Sequence, residues 1–344
     1  MENMPWSDWV RWCHADQSQS DIDATVLTLI ELSDRSKYRT PIISAHVEEQ
    51  GHVAAGYVVL YPGALGSLGK LRFCAQQGSG NTPSIERIER ELLASVIRTL
   101  CNAALEQGAE LVQAISPLNA DSVTDYSVTD WCCVSFAELD SARDSALASA
   151  GMNPVAKLIR MERDEVRRPL ASPAIQNGKL GFKQHDEIST RDWYAIIEAT
   201  YIDTLDVPEL NGLRNIGNTL EGYASPQPRM TQPRIPGTWW VIQDGCVNIG
   251  CLLLTPNDDQ HCELTYLGLA PTNRGLGHSR AIMDHLDRWV TSHGFERMTL
   301  AVDIRNKPAI QLYQSRGFVA ERFVQAWIRI AEPENKVTLS TRAL

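Results

Sequence analysis

Apolar positions along this chain alternate between two periods. Residues 53–61 form a nearly unbroken apolar run that predicts a buried strand. From 84 to 107, Ile85, Ile88, Leu92, Leu93, Val96, Ile97 and Leu100 fall at helical spacing, which predicts one long helix. Residues 110–115 read as a short strand, 145–150 as a helix stopped by Gly151, and 154–161 as a strand. The same order then returns. Strands are predicted over 247–254 and 263–270. A helix over 278–293 gathers Ile282, Met283, Leu286, Trp289 and Val290 on one face. A strand over 298–304, a helix over 308–315 and a strand over 318–330 complete the set. Ahead of this second series, 192–201 reads as a helix, the Pro-rich 222–237 as a loop and 238–243 as a strand.

The echo is closest where each series ends. Ala-Leu-Ala-Ser-Ala-Gly-Met in the first stands against Leu-Tyr-Gln-Ser-Arg-Gly-Phe in the second, with Gly151 aligned on Gly317. The turn-rich segment 166–178, with Arg167, Arg168, Pro169 and Pro173, marks a linker. The expected organisation is therefore a unit over 1–165, the linker, and a second unit over 179–344.

Chemistry concentrates in the second unit. The apolar run 264–270 leads into Pro-Thr-Asn-Arg-Gly-Leu-Gly-His-Ser at 271–279, and a helical pattern follows at once. Glycines let a ligand approach the backbone. The first amides of a helix lack internal acceptors, and the helix dipole adds partial positive charge at that end. A strand, a Gly-rich turn and a helix in this order make an anion site suited to a pyrophosphate. No Lys follows Gly277, which excludes the nucleoside-triphosphatase loop, and Arg280 stands where a dinucleotide fingerprint needs its third glycine.

Arg274-Gly275-Leu276-Gly277-His278-Ser279 resembles the acetyl-coenzyme A loop of the GNAT superfamily of acyltransferases, Gln/Arg-x-x-Gly-x-Gly/Ala, with Ser279 as a small departure. Asn306, Ala309, Leu312, Tyr313, Gly317 and Phe318 form Asn-x-x-Ala-x-x-Leu-Tyr-x-x-x-Gly-Phe, which resembles the closing helix and strand of the same superfamily. The resemblance implies an α/β fold with a mixed sheet: two GNAT-like domains, each a mostly antiparallel twisted sheet flanked by helices. The first is a degenerate copy. It lacks the Arg-x-x-Gly-x-Gly motif near Gly78 and Gly80, and Leu147 takes the place of Tyr313. It is expected to bind no coenzyme and to serve as a packing partner or a wall of the acceptor site.

The resemblance also implies roles. Leu267 and Leu269 would pair with the pantetheine arm of acetyl-CoA on a strand that splays from 298–304, and the Leu269 amide would polarise the thioester carbonyl. Gly275, Leu276, Gly277, His278 and Ser279 would hold the diphosphate, with Arg274 assisting electrostatically. Asn306 would bond coenzyme or backbone. Tyr313 would be the general acid near the sulfur. Glu263 would take the amine proton directly or through water, with Asp303 a second choice of base. Tyr201, Asp203, Asp206 and Glu209 lie in the segment expected to shape the acceptor pocket, and their acidity hints at a cationic amine. A small-molecule amine, a peptide N-terminus and a protein lysine all remain open, as does a coenzyme-binding sensor or structural tandem without turnover.

Composition narrows the setting. The whole formal charge of −10 lies in residues 1–165, with 13 basic against 23 acidic residues, which does not favour nucleic acid. No apolar run reaches about 18 residues, so no membrane span is expected. Eight cysteines and eight histidines show no metal-type spacing, so no metal site is expected. The cysteines, including the adjacent Cys132 and Cys133, read as free thiols of a cytoplasmic monomer or homodimer.

Overall fold

The computed structural model describes residues 5–35, 41–61, 63–75, 82–118, 141–164, 180–213, 215–224 and 238–331. The linker, Gly78 and Gly80, Cys132 and Cys133, and most of the Pro-rich stretch lie outside them.

The first half runs α1 (Trp6–Cys13), α2 (Gln19–Arg35), β1 (Ile42–Glu49), β2 (His52–Tyr61), β3 (Leu65–Leu68), β4 (Arg72–Cys74), α3 (Thr82–Glu106), β5 (Leu111–Leu118), α4 (Ser141–Ser149) and β6 (Asn153–Arg163). The second runs β7 (Leu180–Gln184), α5 (Thr190–Tyr201), α6 (Ile216–Ala224), β8 (Trp239–Asp244), β9 (Val247–Pro256), β10 (His261–Leu269), α7 (His278–Ser292), β11 (Arg297–Asp303), α8 (Lys307–Ser315) and β12 (Val319–Ile330). All strands join one twelve-stranded sheet in the order β1-β2-β3-β5-β12-β6-β11-β10-β9-β8-β7, with β4 alongside β2. Neighbours are antiparallel except β3 with β5 and β10 with β11. A crossover helix, α3 or α7, joins each parallel pair, as a parallel connection requires.

The two halves repeat in detail. Helices α3 and α7 stop at Gly108 and Gly294, and α4 and α8 at Gly151 and Gly317, all with φ between 80° and 95°. At each stop the next amide bonds back across the turn: Ala109 to Ala104, Phe295 to Val290, Met152 to Leu147 and Phe318 to Tyr313, at 3.1–3.2 Å. This is the Schellman cap, and the left-handed residue it needs is glycine in all four places.

The ends of the halves are exchanged. β6, the last strand of the first half, pairs with β11 and β12, and β12 pairs with β5 of the first half. Two arginines mark the exchange. Arg163 and Arg329 each stand twelve residues beyond their turn glycine. Arg163 donates to the Arg316 carbonyl at 2.8 Å, and Arg329 to the Ala150 carbonyl at 3.1 Å. Each therefore binds the carbonyl before the other half's turn glycine.

The sheet is buried on both faces over its strongest strands, which explains their continuous apolar runs. On one face, Val58 and Leu60 of β2 pack with α3 and α4, and Leu252 and Leu254 of β9 pack with α7 and α8. On the other, Tyr57 and Val59 meet α1 and α2, and Cys251 and Leu253 meet α5 and α6. β12 serves both halves: Phe323 lies in the core of the second and Trp327 in that of the first. Among the described residues, no helix is long and apolar enough to cross a membrane.

Candidate active site

The site begins where two neighbouring strands part. β10 and β11 are paired only at His261–Arg297, Cys262–Met298 and Glu263–Thr299. A bulge between Leu264 and Tyr266 then re-aims β10, as an inserted residue does by sharpening the local twist. Beyond it the edge of β10 that faced β11 is open. The Ala270 amide donates to Ile249 of β9 at 2.9 Å. Successive amides alternate sides, so those of Leu269 and Leu267 point into the split. β9 and β10 approach closely only because both lack side chains: a Cβ on Gly250 would lie 2.3 Å from the Gly268 carbonyl oxygen.

The loop after β10 supplies donors without acceptors. Gly275 and Gly277 are left-handed at φ 74° and 81°, and Gly277 is the N-cap of α7. The amides of Gly275, Leu276 and Gly277 meet no backbone acceptor among the described residues. Those of His278 and Ser279 open the helix, where no preceding turn can accept from them.

Arg274 is committed elsewhere. It donates to the carbonyls of Leu269, Asp203 and Thr200 at 2.9 Å and to that of Ile202 at 2.7 Å. Those oxygens include orphans of the C-terminal turn of α5, where positive charge is also favoured by the helix dipole. Arg274 thus fastens the glycine loop to α5, and its charge rather than its donors is what it offers an anion.

Loop, split and α8 enclose a cavity of about 700 Å³. Leu267, Leu269, Arg274, Gly275, Gly277, Ser279, Asn306 and Tyr313 all line it, whereas Leu276 and His278 do not. Asn306 caps α8, accepting from the Ala309 amide at 3.3 Å. Tyr313 is 8% exposed, with its ring edge-on to Phe318 at 5.8 Å. Burial, with the Asp206 charge nearby, holds its phenol well above the usual range. Its hydroxyl makes no hydrogen bond to a described residue.

The expected acceptor segment divides. Asp203 and Asp206 line the cavity, but Asp206 accepts from the Asp303 amide at 3.0 Å and from Asn306 Nδ2 at 2.9 Å. Glu209 is paired with Arg305 at 2.5 and 2.9 Å, which holds its carboxyl below the usual range. Tyr201 turns away into the helical layer, its hydroxyl 3.1 Å from that of Tyr223. Asp303, fully buried, accepts from the Val207 and Arg305 amides and from the Arg305 guanidinium. Through Asp206 and Glu209 the acidic loop is latched to the end of β11, while Asp203 lines the cavity. Thr200 and Tyr266, which the sequence pattern does not single out, line the cavity with hydroxyls 2.9 Å apart.

Glu263 lies on the last pair before the split and does not line the cavity. Burial pushes its carboxyl up, against the opposing pull of Arg160 and a hydrogen bond from Asn257.

One buried network supports α7. Arg163 reaches Asp287 at 2.5 Å and lies 4.9 Å over the Phe318 ring. Arg316 pairs with Asp284 at 2.6 Å and donates to the Arg280 carbonyl at 2.8 Å. The helix that presents the loop is thereby tied to a strand of the first half.

Comparison with known proteins agrees with this geometry. Residues 210–318 match the acetyltransferase (GNAT) family model. The fold is shared with a GCN5-related N-acetyltransferase from Sphaerobacter thermophilus, at 14% identity and a TM-score of 0.50, over 81% of this chain and 77% of that one. A tandem GNAT protein from the clavulanic acid biosynthesis pathway aligns over 96% of this chain and 95% of its own, at 14% identity and a TM-score of 0.48. A GCN5-related N-acetyltransferase from Kribbella flavida aligns over 90% and 96%, at 12% identity and a TM-score of 0.44. No curated protein gives a match. The acetyltransferase (GNAT) family match thus falls on the half that carries the glycine loop and the cavity, and the first half repeats the same build without those motifs.

Proposed function

We propose that this protein transfers an acetyl group from acetyl-CoA to a primary amine within a ternary complex, and that residues 180–330 carry the chemistry. The GNAT fold supports acyl-CoA-dependent acyl transfer in general. The observation that favours this reading is a single cavity of about 700 Å³ where an open strand edge, unpaired helix-start amides and a buried phenol meet. The residues present suit the donor. The amides of Gly275 to Ser279 would hold its diphosphate, and the outward amides of Leu267 and Leu269 its pantetheine arm.

Acyl transfer then divides among few groups. The amine nitrogen bonds to the carbonyl carbon as the carbon–sulfur bond breaks, and the Leu269 amide stabilises the charge that gathers on the carbonyl oxygen. Tyr313 donates its hydroxyl proton to the departing sulfur; a phenol held high in pKa is protonated and ready for that role. Glu263 takes the amine proton through water, since its carboxylate stands outside the cavity. Free thiols such as Cys74 and Cys246 suit the reducing cytoplasm.

The test combines coenzyme titration, read by thermal stabilisation, with thiol release across a panel of amines. Tyr313→Phe should lower kcat by about 100-fold and leave coenzyme affinity unchanged. Absence of thiol release with every amine would refute transfer.

A further inference from the structure

The split between β10 and β11 has a second mouth, on the sheet face turned away from α7 and α8. Glu263 pairs with Thr299, Thr299 with Glu162 of β6, and Ala301 with Arg160 of β6. Paired residues share a face. All five therefore lie opposite Cys262, Met298, Leu300 and Met161, which pack beneath α7 and α8. Ala301 stands in the middle of the sheet and is nevertheless exposed, so the face is open at that point.

Arg160 is unusual among the arginines nearby. Arg163, Arg297, Arg305 and Arg316 each have a carboxylate at hydrogen-bond distance. Among the described residues Arg160 has an ion pair from Nε to Glu321 at 3.7 Å, beyond hydrogen-bond reach, and a through-space pull on Glu263, but no hydrogen-bonded carboxylate. Its Nε is buried without a hydrogen-bond partner, while a third of the side chain is exposed on the open face. A guanidinium with its forked donors unspent is suited to a carboxylate, which it binds through two parallel bonds.

We propose that Arg160 is the carboxylate-binding residue of the acceptor site, and that the acceptor is a small amine that itself carries a carboxylate, in the manner of an amino acid. This rests on the acyltransferase reading above and names its substrate class. Two strand spacings across and two residues along put the Arg160 and Glu263 backbones about 12 Å apart. Two long side chains standing on one face over that distance, with the Arg160 Nε beside Glu321 of β12, leave room for an acceptor whose amine and carboxylate are a few bonds apart. The amine end meets the split at Glu263, and the carboxylate end meets Arg160. The exchange of strands then has a functional consequence: the first half, without a coenzyme loop of its own, supplies β6 and with it one side of the acceptor site.

The experiment uses the full chain and matched pairs of an amino acid and its decarboxylated amine: phenylalanine with phenethylamine, tryptophan with tryptamine, histidine with histamine, lysine with cadaverine. Acetyl-CoA binding is read first by thermal stabilisation. Acceptor binding is then read by calorimetry on the protein loaded with coenzyme A, and turnover by thiol release. The carboxylate member of at least one pair should bind and turn over roughly a hundredfold better than its partner, the scale of one desolvated charge pair. Arg160→Met should abolish that preference through the acceptor KM, Arg160→Lys should restore part of it, and the KM for acetyl-CoA should hold in both.

Equal use of the decarboxylated amines, or a preference that survives Arg160→Met, would overturn the proposal while leaving acyl transfer standing. So would tight acetyl-CoA binding with no carboxylate-bearing member accepted. Failure of acetyl-CoA to bind at all would instead remove the acyltransferase reading, and this proposal with it.

Discussion

Replacing Arg163 with Met tests whether the first half supports α7 of the second. Met keeps much of the apolar stem and removes the charge. The pair lost is Arg163–Asp287, at 2.5 Å with side chains 9% and 8% exposed. Stranding one partner of such a buried pair costs about 3–5 kcal/mol. Asp287 retains Arg316 at 3.7 Å, which offsets part of that cost. The bond to the Arg316 carbonyl and the contact with Phe318 each add about 1 kcal/mol. The net expectation is a loss of about 3 kcal/mol, or about a hundredfold in the folding equilibrium. Urea unfolding at neutral pH, followed by tryptophan fluorescence and circular dichroism, measures it. Arg163→Met with Asp287→Leu should recover most of the loss, because an apolar replacement of a whole buried pair is often neutral and Arg316 still has Asp284. The single variant should also weaken coenzyme binding, since α7 loses the contact that ties it to β6 of the first half. A single variant within 1 kcal/mol of the parent, or a double variant less stable than the single, would refute this account.

Other outcomes follow from the same coordinates. Gly268→Ala places a Cβ 2.6 Å from Thr200 Cβ and 2.8 Å from the Tyr266 hydroxyl, so it should cost about 1–3 kcal/mol and weaken coenzyme binding; an unchanged Tm and affinity would count against the packing at the split. Val207 holds φ 46°, a conformation a β-branched residue rarely adopts, and Val207→Gly should stabilise the chain by about 1 kcal/mol, measured by urea unfolding. Asp303→Ala removes the acceptor that fixes that loop and should raise the acceptor KM more than the coenzyme KM; the reverse order would show that the loop serves the coenzyme. The Glu263 carboxyl is raised from 4.5, so the folded chain holds this proton more tightly than the unfolded one. Its contribution to stability therefore falls as pH climbs from about 4.5 to the raised value, while the rate, which needs the carboxylate, rises over the upper part of that window. Glu263→Gln should flatten both limbs, as read by pH profiles of unfolding and of kcat.

Much of the cavity lining was legible because its pattern is local. Gly275 and Gly277 are needed where the chain turns left-handed, six and eight residues beyond the end of β10, and sequence shows that spacing directly. Tyr313 travels with Gly317 and Phe318 because a Schellman cap fixes their offsets. The partners of the acidic segment were not legible for the opposite reason. Asp206 and Glu209 look like free acids until Asn306 and Arg305, about a hundred positions away, arrive to bind them. The four carbonyls that Arg274 holds are likewise invisible in the sequence, which gives it only an electrostatic part. Strand β1 and the pair β3 and β4 escaped a period-two reading because their burial does not alternate cleanly.

The exchanged ends were invisible in principle. β6 and β12 each need an antiparallel neighbour with apolar residues at alternate positions, and β5 offers Val112 and Ala114 where β11 offers Met298, Leu300 and Val302. The side chains that fasten the exchange are equivalent too. Arg163 binds the carbonyl before Gly317, and Arg329 the carbonyl before Gly151. Either arginine in either place would find the same acceptor, so no hydrophobic pattern, cap or charge prefers one pairing over the other. What separates the two arrangements is the path of the chain between β6 and β7 and the single residues that one strand carries and its counterpart lacks. Arg160 is such a residue: its counterpart nine positions beyond Gly317 is Ala326. Only the exchanged pairing sets a guanidinium beside Ala301 at the mouth of the split in the second half, and an unexchanged pairing would leave an alanine there.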